Sequence, residues 1–115
     1  MRSEIKQIID KIEELKRRAE EIEVRIQKVE EEIARLPRGW IEVKWVYNKN
    51  KQKYYYYYYR DSSKRSIYLG HSIPPEFRKL LKKKQLKQRL KQFKKEKRII
   101  EERIRTLKNE LMNLL

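Results

Sequence analysis

Residues 5–36 read IKQIIDKIEELKRRAEEIEVRIQKVEEEIARL, and their apolar side chains recur at spacings that alternate between three and four. This is the heptad pattern of a coiled coil, in which positions a and d form an apolar seam. The a positions are Ile5, Ile12, Ala19, Ile26 and Ile33, and the d positions are Ile8, Leu15, Ile22, Val29 and Leu36. The pattern predicts a first helix over about residues 3–36, with Ser3 as its N-cap and with Pro37 and Gly39 ending it.

A second helix is predicted over about residues 74–115. Pro74 and Pro75 stand at its start, where proline is tolerated because the first turn needs no backbone N–H donors. Its seam follows the same alternation and consists of Leu86, Leu90, Phe93, Lys97, Ile100, Ile104, Leu107, Leu111 and Leu114. Lys97 is the one polar member, and a lysine in a seam can specify register at a cost in stability.

Between the helices, the alternation of residue types predicts three short strands. They are Trp40–Tyr47, the run Tyr54–Tyr59, and about Arg65–Leu69. Polar stretches, Asn48–Lys51 and Asp61–Lys64, provide the turns between them. The sheet segment, about 39–70, therefore forms a meander.

Because this sheet joins the helix ends, the helices are expected to return alongside each other. The predicted fold is α+β, a long antiparallel two-helix coiled coil capped by a small three-stranded antiparallel β-sheet, in a single domain over residues 1–115. Phe77, Leu80 and Leu81 lie before the second seam, where they can pack under one face of the sheet.

The composition contains few of the residues that usually carry catalysis. There is no cysteine, and His71 is the only histidine, in a Leu-Gly-His-Ser-Ile link that contains no orienting carboxylate. We therefore expect no enzyme, no catalytic residue, no metal, no cofactor and no small-molecule substrate. No apolar run of about 18 residues occurs, so we expect a cytoplasmic, soluble protein without membrane attachment. Abundant Lys, Glu, Ile and Tyr are compatible with a thermophile.

The charge is strongly asymmetric along a chain whose net charge is +15. Residues 1–36 carry nine Lys or Arg against ten Asp or Glu, whereas 37–73 carry eight against two and 74–115 carry fifteen against five. A run of like charges is usually only a solvated helix face. Here the excess is concentrated beside the predicted sheet, which favours an anionic partner.

Six consecutive tyrosines in a strand place alternate rings on opposite faces of the sheet. Tyr54, Tyr56 and Tyr58 share one face, and Tyr55, Tyr57 and Tyr59 share the other. One face can cover apolar residues, while the other can stack on bases. The sequence leaves open which row is exposed, and Tyr55, Tyr57 and Tyr59 are taken as the nucleic-acid-binding candidates. The alternative is that tyrosine is simply a good strand former whose rings fill cross-strand pairs with Trp40, Trp45 and Tyr68.

The segment RGWIEVKWVYNKNKQKYYYYYYRDSSKRSIYLG resembles a pattern in small archaeal and cyanobacterial proteins of unassigned function. The matching positions are Gly39, Trp40, Ile41, Tyr54–Tyr59, Arg65, Ser66, Tyr68, Leu69 and Gly70. The segment is also similar to the arm-type DNA-binding domain of tyrosine recombinases, whose three-stranded sheet lies in the DNA major groove. The resemblance implies a DNA-binding sheet, although Asp61-Ser62-Ser63 stands in a turn where such domains usually have glycine.

We therefore expect a nucleic-acid-binding accessory or regulatory protein, with DNA favoured over RNA and a nucleoid-associated location if DNA is the partner. The nucleic-acid-binding candidates are Lys44, Lys49, Lys51, Lys53, Tyr55, Tyr57, Tyr59, Arg60, Lys64, Arg65, Arg78, Lys79, Lys82, Lys83, Lys84, Lys87, Arg89 and Lys91. A homodimer through the coiled coil is expected, using Ile9, Met112 and Leu115 outside the seam. The alternative is a coiled-coil interaction or scaffold protein whose basic head docks an acidic protein.

Overall fold

The computed structural model describes residues 2–115. Two long helices and three strands account for most of this range. They are α1 (Arg2–Ala34), β1 (Trp40–Tyr47), β2 (Lys53–Arg60), β3 (Ser66–Gly70) and α2 (Arg78–Leu114), with one 3₁₀ turn, Pro75–Phe77, before α2. The expected α+β class, with a two-helix hairpin and a three-stranded antiparallel sheet, is confirmed. Within residues 2–115, neither helix contains a stretch both long and apolar enough to cross a membrane.

Contacts divide the chain into two compact units. The helical unit consists of the chain up to Glu31 together with Arg89–Leu115, and the head unit is Glu32–Gln88. Both helices contribute residues to both units. A single domain over 1–115 stays a prediction.

In the helical unit, the predicted seam forms the apolar core. Its buried members come from both helices: Ile12, Leu15, Ile22, Ile26, Ile100, Ile104 and Leu107. Ion pairs Lys97–Glu23 and Lys94–Glu30 show that numbering rises along one helix as it falls along the other, so the helices are antiparallel. At the end of the predicted seam, Leu114 is 37% exposed and lines a shallow cavity together with Ile8 of the other helix.

Lys97 occupies its predicted seam position, and its ammonium group is paired with carboxylates. Its Nζ donates to Glu23 Oε2 at 2.6 Å, and Glu101 lies 3.7 Å away one turn along the same helix. This hydrogen bond from Lys97 to Glu23 raises the pKa of Lys97 and lowers the pKa of Glu23. This pairing is the interaction through which Lys97 can specify register. The expected dimer stays a prediction, although Ile9, Met112 and Leu115 are exposed.

The ends of α1 differ from the sequence prediction. Helical structure already includes Arg2, so Ser3 lies inside the first turn and is not the N-cap. At the other end, Ala34 closes the helix, and Arg35 and Leu36 donate to carbonyls three residues earlier. These 3₁₀-type bonds tighten the last turn before Pro37, as is common at helix termini.

In the head unit, the strand order is β1-β2-β3. Tyr47 pairs with Lys53 and Trp40 with Arg60, so odd-numbered residues of β1 share a face with odd-numbered residues of β2. Strand β3 covers only the second half of β2, where Tyr58 pairs with Tyr68. The β1–β2 hairpin therefore extends beyond β3 as a two-stranded ribbon.

Gly39 connects α1 to the sheet at a position where no side chain fits. Its φ is +95°, and a Cβ there would lie 2.5 Å from the ring of Tyr59 and 2.6 Å from the carbonyl oxygen of Arg60. Glycine is required both by the left-handed backbone and by this close approach. The contact places Tyr59 against the segment that leads into β1.

Candidate nucleic-acid interface

The sheet has one face that is covered at the end near Gly39, which we call the inner face. Its residues are Ile41, Val43, Trp45, Tyr47, Lys53, Tyr55, Tyr57, Tyr59 and Ile67. Ile41 is only 4% exposed, and the ring of Tyr59 packs 5.4 Å from that of Phe77. The hydroxyl of Tyr59 donates to the carbonyl of Arg38 at 3.3 Å. These contacts confirm that Phe77 packs against one face of the sheet.

The candidate row of tyrosines, which lies on this inner face, is therefore only partly exposed. Tyr59 is held by Phe77 and Arg38, and Tyr57 is half-buried, whereas Tyr55 near the hairpin tip is exposed. This row therefore does not form a single exposed platform. The reason is that the inner face is covered at one end and open at the other.

The opposite face, which we call the outer face, carries the more continuous aromatic surface. Its residues are Trp40, Glu42, Lys44, Val46, Tyr54, Tyr56, Tyr58, Arg60, Ser66 and Tyr68. The ring of Tyr68 lies 5.4 Å from that of Tyr58 and 6.3 Å from that of Tyr56. Lys44, Val46 and these three tyrosines line a shallow open pocket of about 500 Å³. Roughly 300 to 1,000 Å³ is the usual range for small-ligand pockets.

His71 extends this aromatic surface, which the sequence did not indicate. Its ring lies 5.2 Å from that of Tyr54 and 4.9 Å from that of Tyr56. Nδ1 is 3.1 Å from the carbonyl oxygen of Tyr55, and a carbonyl only accepts, so Nδ1 carries the proton. The bond holds His71 beside the part of β2 that β3 does not cover. No local sequence signal distinguishes this role from that of a linker histidine.

Two cations on the outer face are already engaged within the sheet. Arg60 forms an ion pair with Glu42. Lys44 lies 4.0 Å from Glu42, and its Nζ is 5.2 Å from the centre of the Tyr58 ring. Lys44 remains exposed and can still reach an anion, whereas Arg60 is half-buried.

The hairpin tip carries a second, smaller aromatic cluster on the inner face. The rings of Trp45 and Tyr47 meet edge to face at 5.1 Å, and Lys53 Nζ lies 4.5 Å from the Trp45 ring. Lys49 and Lys51 are exposed in the adjoining turn. That turn is held by the Asn48 side chain, whose Oδ1 accepts from two backbone N–H groups at 2.9 Å.

The second turn is held by an acidic side chain. Asp61 accepts hydrogen bonds from the backbone N–H and the hydroxyl of Ser63, and the hydroxyl bond is the main reason why the pKa of Asp61 is lowered. Lys64 adopts a φ of 64°, and it leaves its side chain exposed beside Arg65. A side-chain turn of this kind reverses the chain without a glycine.

The candidate cations of α2 fall into three groups. Exposed members in the head unit are Arg78, Lys79, Lys82, Lys84 and Lys87. Arg89 and Lys91 are exposed but belong to the helical unit. The third group is Lys83, whose Nζ donates to the carbonyls of Pro37 and Gly39 at 3.0 and 3.3 Å.

Lys83 is thus a structural residue that holds the segment before β1, and its assignment as a phosphate contact stays a prediction. The sequence did not single out Lys83, because it is one of several neighbouring lysines that no local sequence feature distinguishes. Burial, together with the nearby charge of Lys87, lowers the pKa of Lys83. Its ammonium satisfies carbonyls in the segment between α1 and β1.

The head unit is the basic part of the protein. Residues 32–88 contain fifteen Lys or Arg and four Asp or Glu, a net charge of +11, whereas the helical unit holds the remaining seventeen and thirteen, a net charge of +4. Within residues 2–115, no three His, Asp or Glu side chains gather into a metal-binding cluster.

Comparison with known proteins finds no match for this chain among family models, curated proteins or solved structures.

Proposed function

We propose that the head unit binds nucleic acid, and that the protein acts by binding without catalysis. The observation that carries the proposal is the open row of tyrosines on the outer face, in a unit whose net charge is +11. Aromatic rings and cations together match the two components of a nucleic acid, its bases and its phosphates. The resemblance to arm-type DNA-binding sheets supports DNA as the first partner to test.

The charge supplies affinity that does not depend on base sequence. Lysine and arginine neutralise phosphates and release counterions, so binding weakens steeply as salt is added. Exposed cations are available around the sheet at Lys64 and Arg65 and along the first turns of α2. Because Lys83 is committed to backbone carbonyls, we assign phosphate contacts to its exposed neighbours Lys82, Lys84 and Lys87.

The test is a fluorescence-anisotropy titration of labelled DNA and RNA, each at several salt concentrations. In the triple variant Lys82→Gln, Lys84→Gln, Lys87→Gln, each lost phosphate contact lowers the slope of log affinity against log salt by about one. The matched control removes three exposed lysines from the helical unit: Lys6, Lys16 and Lys28.

Equal losses in both triple variants would show that only net charge matters and would remove the assignment to α2. Absence of binding at low salt would overturn the nucleic-acid function altogether. An acidic protein surface would then be the partner to pursue.

A further inference from the structure

The outer face carries four tyrosines whose rings remain accessible although each packs beside another ring, Tyr56 and Tyr58 beside Tyr68 and Tyr54 beside His71. Tyr68 is 54% exposed and Tyr54 is 45% exposed, while Tyr56 and Tyr58 are half-exposed between them. The Tyr56 and Tyr58 rings tilt by 40° and 57° against that of Tyr68, so the rings form an open, uneven surface. The shallow pocket lies where Tyr68 meets these two rings, next to Val46.

This surface is poorly equipped to read base pairs in a duplex. Readout in the major groove relies on bidentate side chains such as Arg, Lys, Asn and Gln, which reach base edges. On the sheet residues of the outer face, no Asn or Gln occurs, Arg60 is already paired with Glu42, and Lys44 lies beside Glu42 and the Tyr58 ring. Glu42 would also face the phosphates of a duplex laid against the sheet.

The same surface is well suited to the flat face of an unpaired base. In a duplex, neighbouring base pairs cover those faces, whereas in a single strand each base can stack on an aromatic ring. An apolar floor at Val46 and a cation at Lys44, both beside the tyrosines, suit a base and its phosphate respectively.

From this geometry we infer that the outer face binds single-stranded nucleic acid, with bases stacked on Tyr54, Tyr56, Tyr58 and Tyr68. This inference rests on the proposed function and adds two points to it: the nucleic acid is single-stranded, and the outer face of the sheet binds it. Lys44 holds the adjacent phosphate. The surrounding cations of the head unit supply the salt-dependent part of the affinity.

The experiment uses the full-length protein and fluorescein-labelled oligo(dT) and oligo(U) of about 12 nucleotides, with a mixed-sequence duplex of equal length. Single strands are expected to bind more tightly than the duplex. Tyr68→Ile keeps a strand-forming apolar side chain but removes the ring, and it should weaken single-strand binding roughly 5- to 100-fold without changing the salt slope. Because oligo(dT) and oligo(U) differ in the thymine methyl group as well as in the sugar, oligo(dU) is added, and its comparison with oligo(U) assigns the sugar type.

The matched control is Tyr47→Ile, an exposed tyrosine on the inner face that is 62% accessible. It should leave single-strand affinity unchanged, and thermal melting followed by circular dichroism confirms that both variants fold. A loss in Tyr47→Ile with none in Tyr68→Ile would overturn the assignment to the outer face. Duplex binding at least as tight as single-strand binding would overturn the strand preference while leaving nucleic-acid binding intact. No binding to any probe would overturn both.

Discussion

Replacing Gly39 with alanine tests the contact that defines the inner face. Two separate costs follow from the structure. A left-handed backbone costs an alanine about 1–2 kcal/mol. The added Cβ would also lie 2.5 Å from Tyr59 Cε2 and 2.6 Å from the Arg60 carbonyl oxygen. The ring can shift, but the carbonyl belongs to the sheet, so overpacking adds about 1–3 kcal/mol. Gly39→Ala should therefore lower the free energy of unfolding by about 2–5 kcal/mol.

Gly70 provides a control that separates these costs. Its φ is +94°, nearly that of Gly39, but a Cβ there would meet no atom within 4 Å. Gly70→Ala should cost only the backbone part, about 1–2 kcal/mol. Urea denaturation is followed by tryptophan fluorescence, because both tryptophans lie in β1 and report on the head unit. Equal losses in the two variants would refute the close packing of Tyr59 against Gly39.

Two further predictions concern charged side chains. The hydrogen bond from Lys97 lowers the pKa of Glu23, so this pair stabilises the fold above the ordinary carboxyl pKa and its contribution is lost as the pH falls through the lowered value. Glu23→Gln should thus lower the urea midpoint of helical circular dichroism at neutral pH, and the difference from wild type should shrink well below pH 4.5; a difference that is constant with pH would contradict the pairing. Lys83→Met should lower stability by about 1 kcal/mol, because two carbonyls lose a donor, while the salt slope of nucleic-acid binding stays at its wild-type value. If instead the salt slope of binding fell by about one and stability did not change, Lys83 would be a phosphate contact.

The inner face could have been identified from β1. In that strand Ile41 and Val43 alternate with Glu42 and Lys44, which indicates that the odd-numbered residues face the core. Pairing across the hairpin joins odd positions to odd positions, and this carries Tyr57 and Tyr59 to the same face. The signal was present in the sequence, but it could be used only once the hairpin register was known, since a shift by one residue exchanges the faces.

The sequence by itself determined the helices, the seam and the three strands of this protein. Those features follow from local periodicities of about 3.5 residues in the helices and 2 residues in the strands. Because the pattern repeats over long stretches, one residue that departs from it does not change the prediction. Tertiary structure alone decided that Lys83 holds the carbonyls of Pro37 and Gly39, that His71 joins the outer face, and that Tyr59 packs on Phe77. Each of these roles depends on a contact between residues that are far apart in the chain. Lys83, for example, contacts carbonyls 44 and 46 residues away, and no local sequence pattern encodes such a contact.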